Sequence, residues 1–290
     1  MAGLLEGRSV AITGAGRGIG RAVALAAAGE GANVVVADLG VTVDGSEPDS
    51  EVADAVAQEI ADLGGTAIAL AADVTSVQDG RRIVQTAVDE WGSIDGVVCP
   101  AGILRERMLF NMSEDEWDAV VAVHLKGHFT VFRAAAERMR EQRRGSLVGF
   151  TSGAFQGSIA QANYSAAKGG IVSLTRSAAA GLRKYGVRAN CIAPVARTRM
   201  SDNLPMDIEM GEAEDVAPMA VYLLSDLAHE VTGQIYTVVG GRIAVWNQPQ
   251  EVRSMTTDGR WDPQIIHDRF DEVGQERMPL FDLMDEWAAR

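Results

Sequence analysis

Tyr164 and Lys168 stand four residues apart in Tyr-Ser-Ala-Ala-Lys, at the head of a small-residue stretch, 163–185, with helical spacing. Positions i and i+4 share one face of a helix, so a phenol and an ammonium become neighbours. The chemistry open to such a pair is proton transfer. A free tyrosine titrates near pH 10; to act as a general base near neutrality it must drop by roughly 3 units, or about 4 kcal/mol. A neighbouring cation favours phenolate and works in that direction. Upstream, Thr151 and Ser152 end an apolar run, 146–151. A hydroxyl there can donate to charge developing on a substrate oxygen. The plainer role is to satisfy turn backbone, and one of the two is expected to do that.

A second cluster lies near the N-terminus, Thr13-Gly14-Ala15-Gly16-Arg17-Gly18-Ile19-Gly20, between an apolar run and a helical stretch. In that context glycines permit a sharp turn (Gly14), close approach to a pyrophosphate (Gly18) and tight helix–strand packing (Gly20). The helix that starts at Gly18–Ile19 offers free N–H groups and a positive dipole end to phosphates. Asp38 ends the next apolar run. A carboxylate there accepts both adenosine ribose hydroxyls and repels a 2′-phosphate, which favours NAD over NADP. Arg17 pulls the other way, since a guanidinium can pair with that phosphate. Asp73-Val74, ending the third run, are placed to meet the adenine.

The elements that must position these groups follow from periodicity. Strand candidates are 8–13, 33–38, 67–72, 94–99, 146–151, 187–192 and 234–239. Helical patterns fill 18–30, 50–63, 77–91, 114–142, 163–185 and 213–225. Short apolar runs separated by helices indicate a parallel sheet buried on both faces. The expected fold class is therefore α/β: a Rossmann-like, doubly wound, seven-stranded parallel sheet with helices on both faces. Segment 40–50 is expected as an exposed loop and 201–212 as a mobile flap. Domain 1–245 is followed by an extension, 246–290, whose Trp261, Phe270 and Trp287 are too few for a core of their own. It is expected to pack on its own or a neighbouring subunit.

A net charge of −14 argues against nucleic-acid binding or attraction to anionic membranes. No apolar run is long enough for a membrane span. The N-terminal residues lack a secretory pattern, and the C-terminal residues carry no lipidation or peroxisomal address. Cys99 and Cys191, the only cysteines, are too few for a disulfide framework or a zinc site. A reducing cytoplasm is the expected compartment, and no metal is expected.

Taken together, the chain resembles the short-chain dehydrogenase/reductase family over about 1–245. The resemblance is carried by TGAGRGIG at 13–20, Asp38, Ala101-Gly102, YSAAK at 164–168 and NCIAPVART at 190–198. It implies that Tyr164 is the acid/base and that Lys168 lowers its pKa and binds the nicotinamide ribose. It further implies that Thr151, by spacing, or Ser152 is the catalytic hydroxyl, and that Thr198 bonds the carboxamide. Three positions depart from the family pattern. Cys99-Pro100 precede Ala101, where proline removes a backbone donor. His124 replaces an asparagine of a proton relay, which a histidine can still serve. Val195 follows Pro194 where glycine is usual, adding bulk beside the nicotinamide.

A narrower likeness runs through the acidic insert at 40–50, AGILRER at 101–107, SEDEWD at 113–118 and VHLKGHF at 123–129. It is to the group of 17β-hydroxysteroid dehydrogenase type 4 and (3R)-hydroxyacyl-CoA dehydrogenases. That implies NAD-dependent interconversion of a secondary alcohol and ketone on a bulky hydrophobic substrate, with Arg105, Arg107, Arg197 and Arg199 candidates to meet an acidic CoA. The alternatives are an NADPH-linked 3-oxoacyl reductase and, from another class, a low-turnover nucleotide-binding scaffold or redox sensor. Family likeness in 114–142 and 163–185 implies a homodimer or homotetramer.

Overall fold

Runs rich in Val, Ile and Ala form strands here because both of their faces find helices to pack on. The computed structural model describes residues 3–200 and 210–288; most of the expected flap, 201–209, lies outside the described residues. In chain order the elements are β1 (Ser9–Thr13), α1 (Gly18–Gly29), β2 (Asn33–Asp38), α2 (Glu51–Asp62), β3 (Thr66–Ala71), α3 (Val77–Trp91), β4 (Gly96–Cys99) and α4 (Glu114–Val121). They continue as α5 (Gly127–Gln142), β5 (Gly145–Phe150), α6 (Ala162–Leu182), β6 (Val187–Pro194), α7 (Ala213–Leu224), β7 (Ile235–Val239) and β8 (Arg242–Val245).

The sheet order is β3-β2-β1-β4-β5-β6-β7-β8. Alternation decides the layers. Val10 and Ile12 of β1 face one core with α1, α2 and α7, whereas Ala11 faces the other with α3, α5 and α6. The order reverses between β1 and β4, and a crevice opens at the strand C-termini of such a reversal. Thr13, Asp38, Cys99 and Phe150 all end strands on that rim.

Two expectations are corrected. The seven parallel strands are joined by an eighth, β8, antiparallel to β7 in a hairpin closed by Val239↔Arg242. Gly240, with φ 49°, makes the two-residue turn possible. The helix expected over 114–142 is two helices joined by a π-helical turn, Ala122–Lys126. Segment 40–50 is the expected loop, exposed at Asp44 and from Ser46 to Ser50, and anchored at two points: the Val43 carbonyl accepts from Leu104 N, and Gly40, φ 76°, is buried where any Cβ would strike the Asp49 carbonyl.

The chain divides into two compact units, Met1–Trp246 and Asn247–Arg290. The second holds α8 (Pro263–Asp268), capped by Asp262, and α9 (Pro279–Ala288). Arg253–Glu276 and Arg269–Glu272 ion pairs tie it internally. Among the described residues no helix is long and apolar enough to cross a membrane.

Helix starts are set by local chemistry. Ser113 begins α4 with a complete capping box, its hydroxyl accepting from Glu116 N while the Glu116 carboxylate accepts from Ser113 N. Ser50 precedes α2 without any cap bond. Ser113→Ala should therefore lower stability by about 1 kcal/mol, and Ser50→Ala by much less. Paired urea unfolding curves check this; equal midpoints would refute it.

Candidate active site

The glycine turn is held too tightly for side chains. A Cβ on Gly14 would lie 2.7 Å from Ala101 Cα, on Gly16 2.3 Å from Val52 Cγ1, and on Gly20 2.0 Å from the Gly14 carbonyl. Gly18 is different: it is exposed, and its nearest neighbour would be Thr198 Cγ2 at 3.6 Å. The N-terminus of α1 has no side-chain cap, so its first N–H groups suit a phosphate. Asp38 braces the turn, its carboxylate accepting from Gly16 N and Gly40 N, both at 2.7 Å. Arg17 leans across the same rim towards the Gly40 and Val41 carbonyls. These residues fit a dinucleotide: a tight phosphate turn, uncapped amides and a carboxylate at the end of β2.

Ala101 meets Gly14 of that turn, and Gly102 meets His124 on the side of Tyr164. Pro100, just before Ala101, follows the last rung of β4 with β5, Cys99↔Gly149. Pro194 ends β6, and Val195 donates its N–H to Val238 while its carbonyl accepts from Gly211. Asp73 is engaged locally, both carboxylate oxygens accepting from Thr75. Val74 packs where a Cβ on Gly127 would sit, 2.9 Å from its Cγ2, and its carbonyl accepts from Thr130. Ile19 packs against the core beside α1.

Tyr164 and Lys168 occupy the first two turns of α6. The Lys168 amine lies 5.2 Å from the Tyr164 ring centroid and donates to the Phe150 carbonyl at 2.7 Å. The two candidate hydroxyls separate here. Thr151 is buried and donates to the Lys168 carbonyl at 2.9 Å, a packing role. The Ser152 hydroxyl accepts from Ala154 N at 3.2 Å, capping the turn that follows it, and is near enough to the Tyr164 phenol to draw its pKa down.

The electrostatics oppose the simple expectation of a lysine-lowered tyrosine. Burial pushes the Tyr164 phenol up to about 12, offset in part by the Ser152 hydrogen bond, with the Glu106 carboxylate adding to the rise. Burial pushes the Lys168 amine down to about 7. Each shift disfavours the ionised form, because the amine has a carbonyl beside it and the phenol a hydroxyl, neither of them a counter-charge.

The π turn brings His124 edge-on to Tyr164, ring centroids 5.1 Å apart. A Cβ on Gly102 would meet His124 Cε1 at 2.4 Å, and one on Gly170 would meet Leu125 Cδ2 at 2.7 Å, so two glycines admit the turn. His124 Nε2 lies 2.8 Å from the carbonyl and 3.2 Å from the N–H of Ile103. The shorter contact puts the proton on Nε2. Nδ1 is then a bare acceptor, buried with no partner among the described residues. Burial and the Lys168 charge hold this imidazole well below its ordinary pKa, so it is neutral.

Sequence reasoning missed Asn163 and His128. Asn163 is buried and donates to the Arg105 and Glu116 carbonyls, each at 2.9 Å, while its own carbonyl accepts from Tyr164 N. It ties the β4–α4 loop and α4 to the start of the tyrosine helix. A polar residue directly before Tyr164, in a stretch of small residues, was its only signal. Three of the four arginines are already engaged: Arg105 with the Asp44 carbonyl, Arg107 with Glu116, Arg197 with Glu212. Arg199 instead feels the charges of Arg17 and Asp38, at the rim of the glycine turn.

The chain is similar to known proteins over most of its length. A family model described as Enoyl-(Acyl carrier protein) reductase matches residues 14–242. The chain is 42% identical over 277 residues to hydroxyacyl-CoA dehydrogenase ChsB1 of Mycobacterium tuberculosis, covering 89% of this chain and 86% of that one. It is 39% identical over 273 residues to mouse peroxisomal multifunctional enzyme type 2, spanning 92% of this chain but 37% of that enzyme. A crystal structure of a short chain dehydrogenase from Mycobacterium avium superposes with a TM-score of 0.84 at 43% identity, covering 95% of this chain and 97% of that one.

The two hydroxyls should respond differently to removal. Ser152→Ala is expected to lower kcat by roughly a hundredfold with the melting temperature held. Thr151→Val should keep most activity and lose about 1 kcal/mol of stability. Steady-state kinetics beside thermal melts decide, and the reverse pattern would reassign the two.

Proposed function

This chain belongs to the short-chain dehydrogenase/reductase family, and from that premise we propose that it oxidises the hydroxyl of a bulky hydrophobic 3-hydroxyacyl-CoA, with NAD as acceptor. That it is an oxidoreductase acting on CH–OH groups with a nicotinamide dinucleotide follows from the family. The reading of substrate and nucleotide is ours. The observation that carries it is the convergence of the Tyr164 phenol, the Ser152 hydroxyl and the Lys168 amine beside the glycine turn.

Gly14, Gly18, Ile19 and Gly20 would hold the pyrophosphate, Asp38 the adenosine ribose, Asp73 and Val74 the adenine, and Ala101 and Gly102 the adjoining ribose. Lys168 would hold the nicotinamide ribose, and Pro194, Val195 and Thr198 the carboxamide side. When bound, the oxidised nicotinamide supplies an electrophilic carbon for hydride and a positive charge that favours phenolate. Ser152 donates to the substrate oxygen and fixes it. Tyr164 Oη takes the hydroxyl proton, and the Lys168 amine and His124 Nδ1 pass protons towards water.

The substrate class rests on the mouth of the site as well as on relatives named for hydroxyacyl-CoA. Arg107 N donates to the Ala160 carbonyl at 2.7 Å, which sets Met108 and the short turn Leu109–Asn111 near Ile159, ahead of the tyrosine helix. Leu109 and Phe110 are 70% and 78% exposed, an apolar lip suited to an acyl chain or a steroid ring. A second reading, an NADPH-linked 3-oxoacyl reductase, is favoured by Arg17 and Arg199 flanking Asp38. With either reading we propose a reducing cytoplasm and a homodimer or homotetramer, for which the exposed Trp117 of α4 and Phe129 of α5 would serve as contacts.

The test is a panel of 3-hydroxyacyl-CoAs and hydroxysteroids with NAD and NADP, followed by absorbance of the reduced nicotinamide, beside Tyr164→Phe. Turnover with NAD on the long thioesters, lost at least a hundredfold in Tyr164→Phe, is the expected result. A preference for NADP in the wild type would favour the second reading. The oxidation rate should also rise with pH from below neutrality until the phenol is ionised, at a pH below its ligand-free value of about 12 because the nicotinamide charge favours phenolate, since the phenol must give up its proton before it can accept one. A rate flat across that window would remove Tyr164 as the base.

A further inference from the structure

His128 lies one helical turn beyond His124, buried, in a role that neither the glycine turn nor the tyrosine pair accounts for. Its Nδ1 is 2.6 Å from the His124 carbonyl, and its Nε2 is 3.0 Å from Phe150 N. A carbonyl only accepts, so Nδ1 carries the proton. A backbone N–H only donates, so Nε2 is bare. The two neighbours therefore fix a neutral imidazole in the Nδ1–H tautomer. A second proton, on Nε2, would face the Phe150 N–H with no acceptor.

Phe150 is one residue beyond the last rung joining β4 to β5, Cys99↔Gly149. The strand-side position next to it is Pro100, which has no N–H to offer. At this point two side chains meet the backbone of one residue: His128 accepts its N–H, and Lys168 donates to its carbonyl at 2.7 Å. The far end of the same imidazole holds the π turn that sets His124 against Tyr164.

We propose that His128 is a positioning residue, a neutral two-ended strut that fixes the Phe150 carbonyl under the Lys168 amine and the π turn beside Tyr164. The proposal rests on the reading of Tyr164 and Lys168 as the proton-transfer pair. The titratable groups that act on the strut are Lys168 on α6 and His124 on the π turn, and Lys168 in turn feels Cys191 on β6. The Cys191 thiol is pushed up to about 11 by burial, so it is neutral. His128 itself is held down to about 3 by burial and by the Lys168 charge, so it does not titrate in the working range.

The experiment compares wild type, His128→Phe, which removes both bonds, and His128→Gln, whose amide reaches the Nε2 position and keeps an acceptor for Phe150. Expected for His128→Phe is a kcat lower by tenfold to roughly a hundredfold, with substrate KM within about threefold and a displaced pH profile. His128→Gln, which keeps the Phe150 bond and loses the His124 one, should restore the pH profile and only part of kcat. Independently of turnover, ring nitrogen-15 spectra of the full-length protein should show Nδ1 protonated and Nε2 bare from about pH 5 to about pH 9. The Lys168 amine titration, followed by the same method, should move in His128→Phe. An Nε2–H tautomer would overturn the proposal, as would a His128→Phe protein with the wild-type Lys168 titration and pH profile. Should the wild type oxidise no alcohol while these spectra come out as expected, the enzymatic reading fails and the strut stands.

Discussion

The site depends on a lysine amine, 4% exposed, held by one backbone carbonyl and, among the described residues, by no carboxylate. Burying an ammonium without a counter-charge is costly in a low-dielectric interior. Lys168 responds by moving towards its neutral form, and the phenol beside it responds in the same way. Lys168 is thus kept close to a charge change while Tyr164 is held neutral, with the balance left to whatever next enters the crevice. A lysine paired with aspartate would be more settled and less responsive. The carbonyl that holds it belongs to a strand end, so the chemistry is anchored to the sheet and not to a loop.

Topology supplies that anchor. The reversal of strand order between β1 and β4 brings the ends of β1, β2, β4 and β5 to one rim. The glycine turn leaves β1 and the hydroxyl pair leaves β5, so the proposed nucleotide and substrate sites share one crevice. The overall charge of −14 does not conflict with an anionic cofactor, because exposed carboxylates are screened within about 10 Å at ordinary ionic strength. Locally the rim is built from an uncapped helix N-terminus, Arg17 and Arg199, with Asp38 turned inward onto the turn's own amides.

Much of this frame was legible in the residue pattern. A strand buried on both faces writes a continuous apolar run, and a helix writes a 3.6-residue period, so the parallel strands and most helices could be placed to within a residue or two. β8 was missed because it is short, exposed and lies at the sheet edge, where neither signal applies. The π turn was hidden inside an otherwise regular pattern; the small residues that admit it, Gly102 and Gly170, lie on other elements. The choice between Thr151 and Ser152 could not be made from spacing. Adjacent residues at a strand end point to opposite sides, and only the position of α6 shows that the first meets a helix carbonyl and the second the phenol. Asn163 and His128 are lone polar residues in apolar surroundings, where a run of letters gives no partner to look for.

In the proposed reading, recognition of the substrate is carried by different matter from the chemistry. Tyr164, Lys168 and Ser152 are set by a helix, a strand and buried hydrogen bonds, whereas the lip of Met108, Leu109, Phe110 and Ile159 is irregular and exposed. The join between them is Asn163, which is buried and bonds both the loop carrying the lip and the helix carrying the base. A change in the lip can therefore alter which hydrophobic group is accepted without disturbing the phenol, while a change at Asn163 would loosen both. Such a division lets one proton-transfer centre serve alcohols of different shape. It also explains why the residues nearest the chemistry are glycines, small hydroxyls and neutral imidazoles: each holds position through a backbone contact, and none adds a charge that would settle the Tyr164–Lys168 balance in advance.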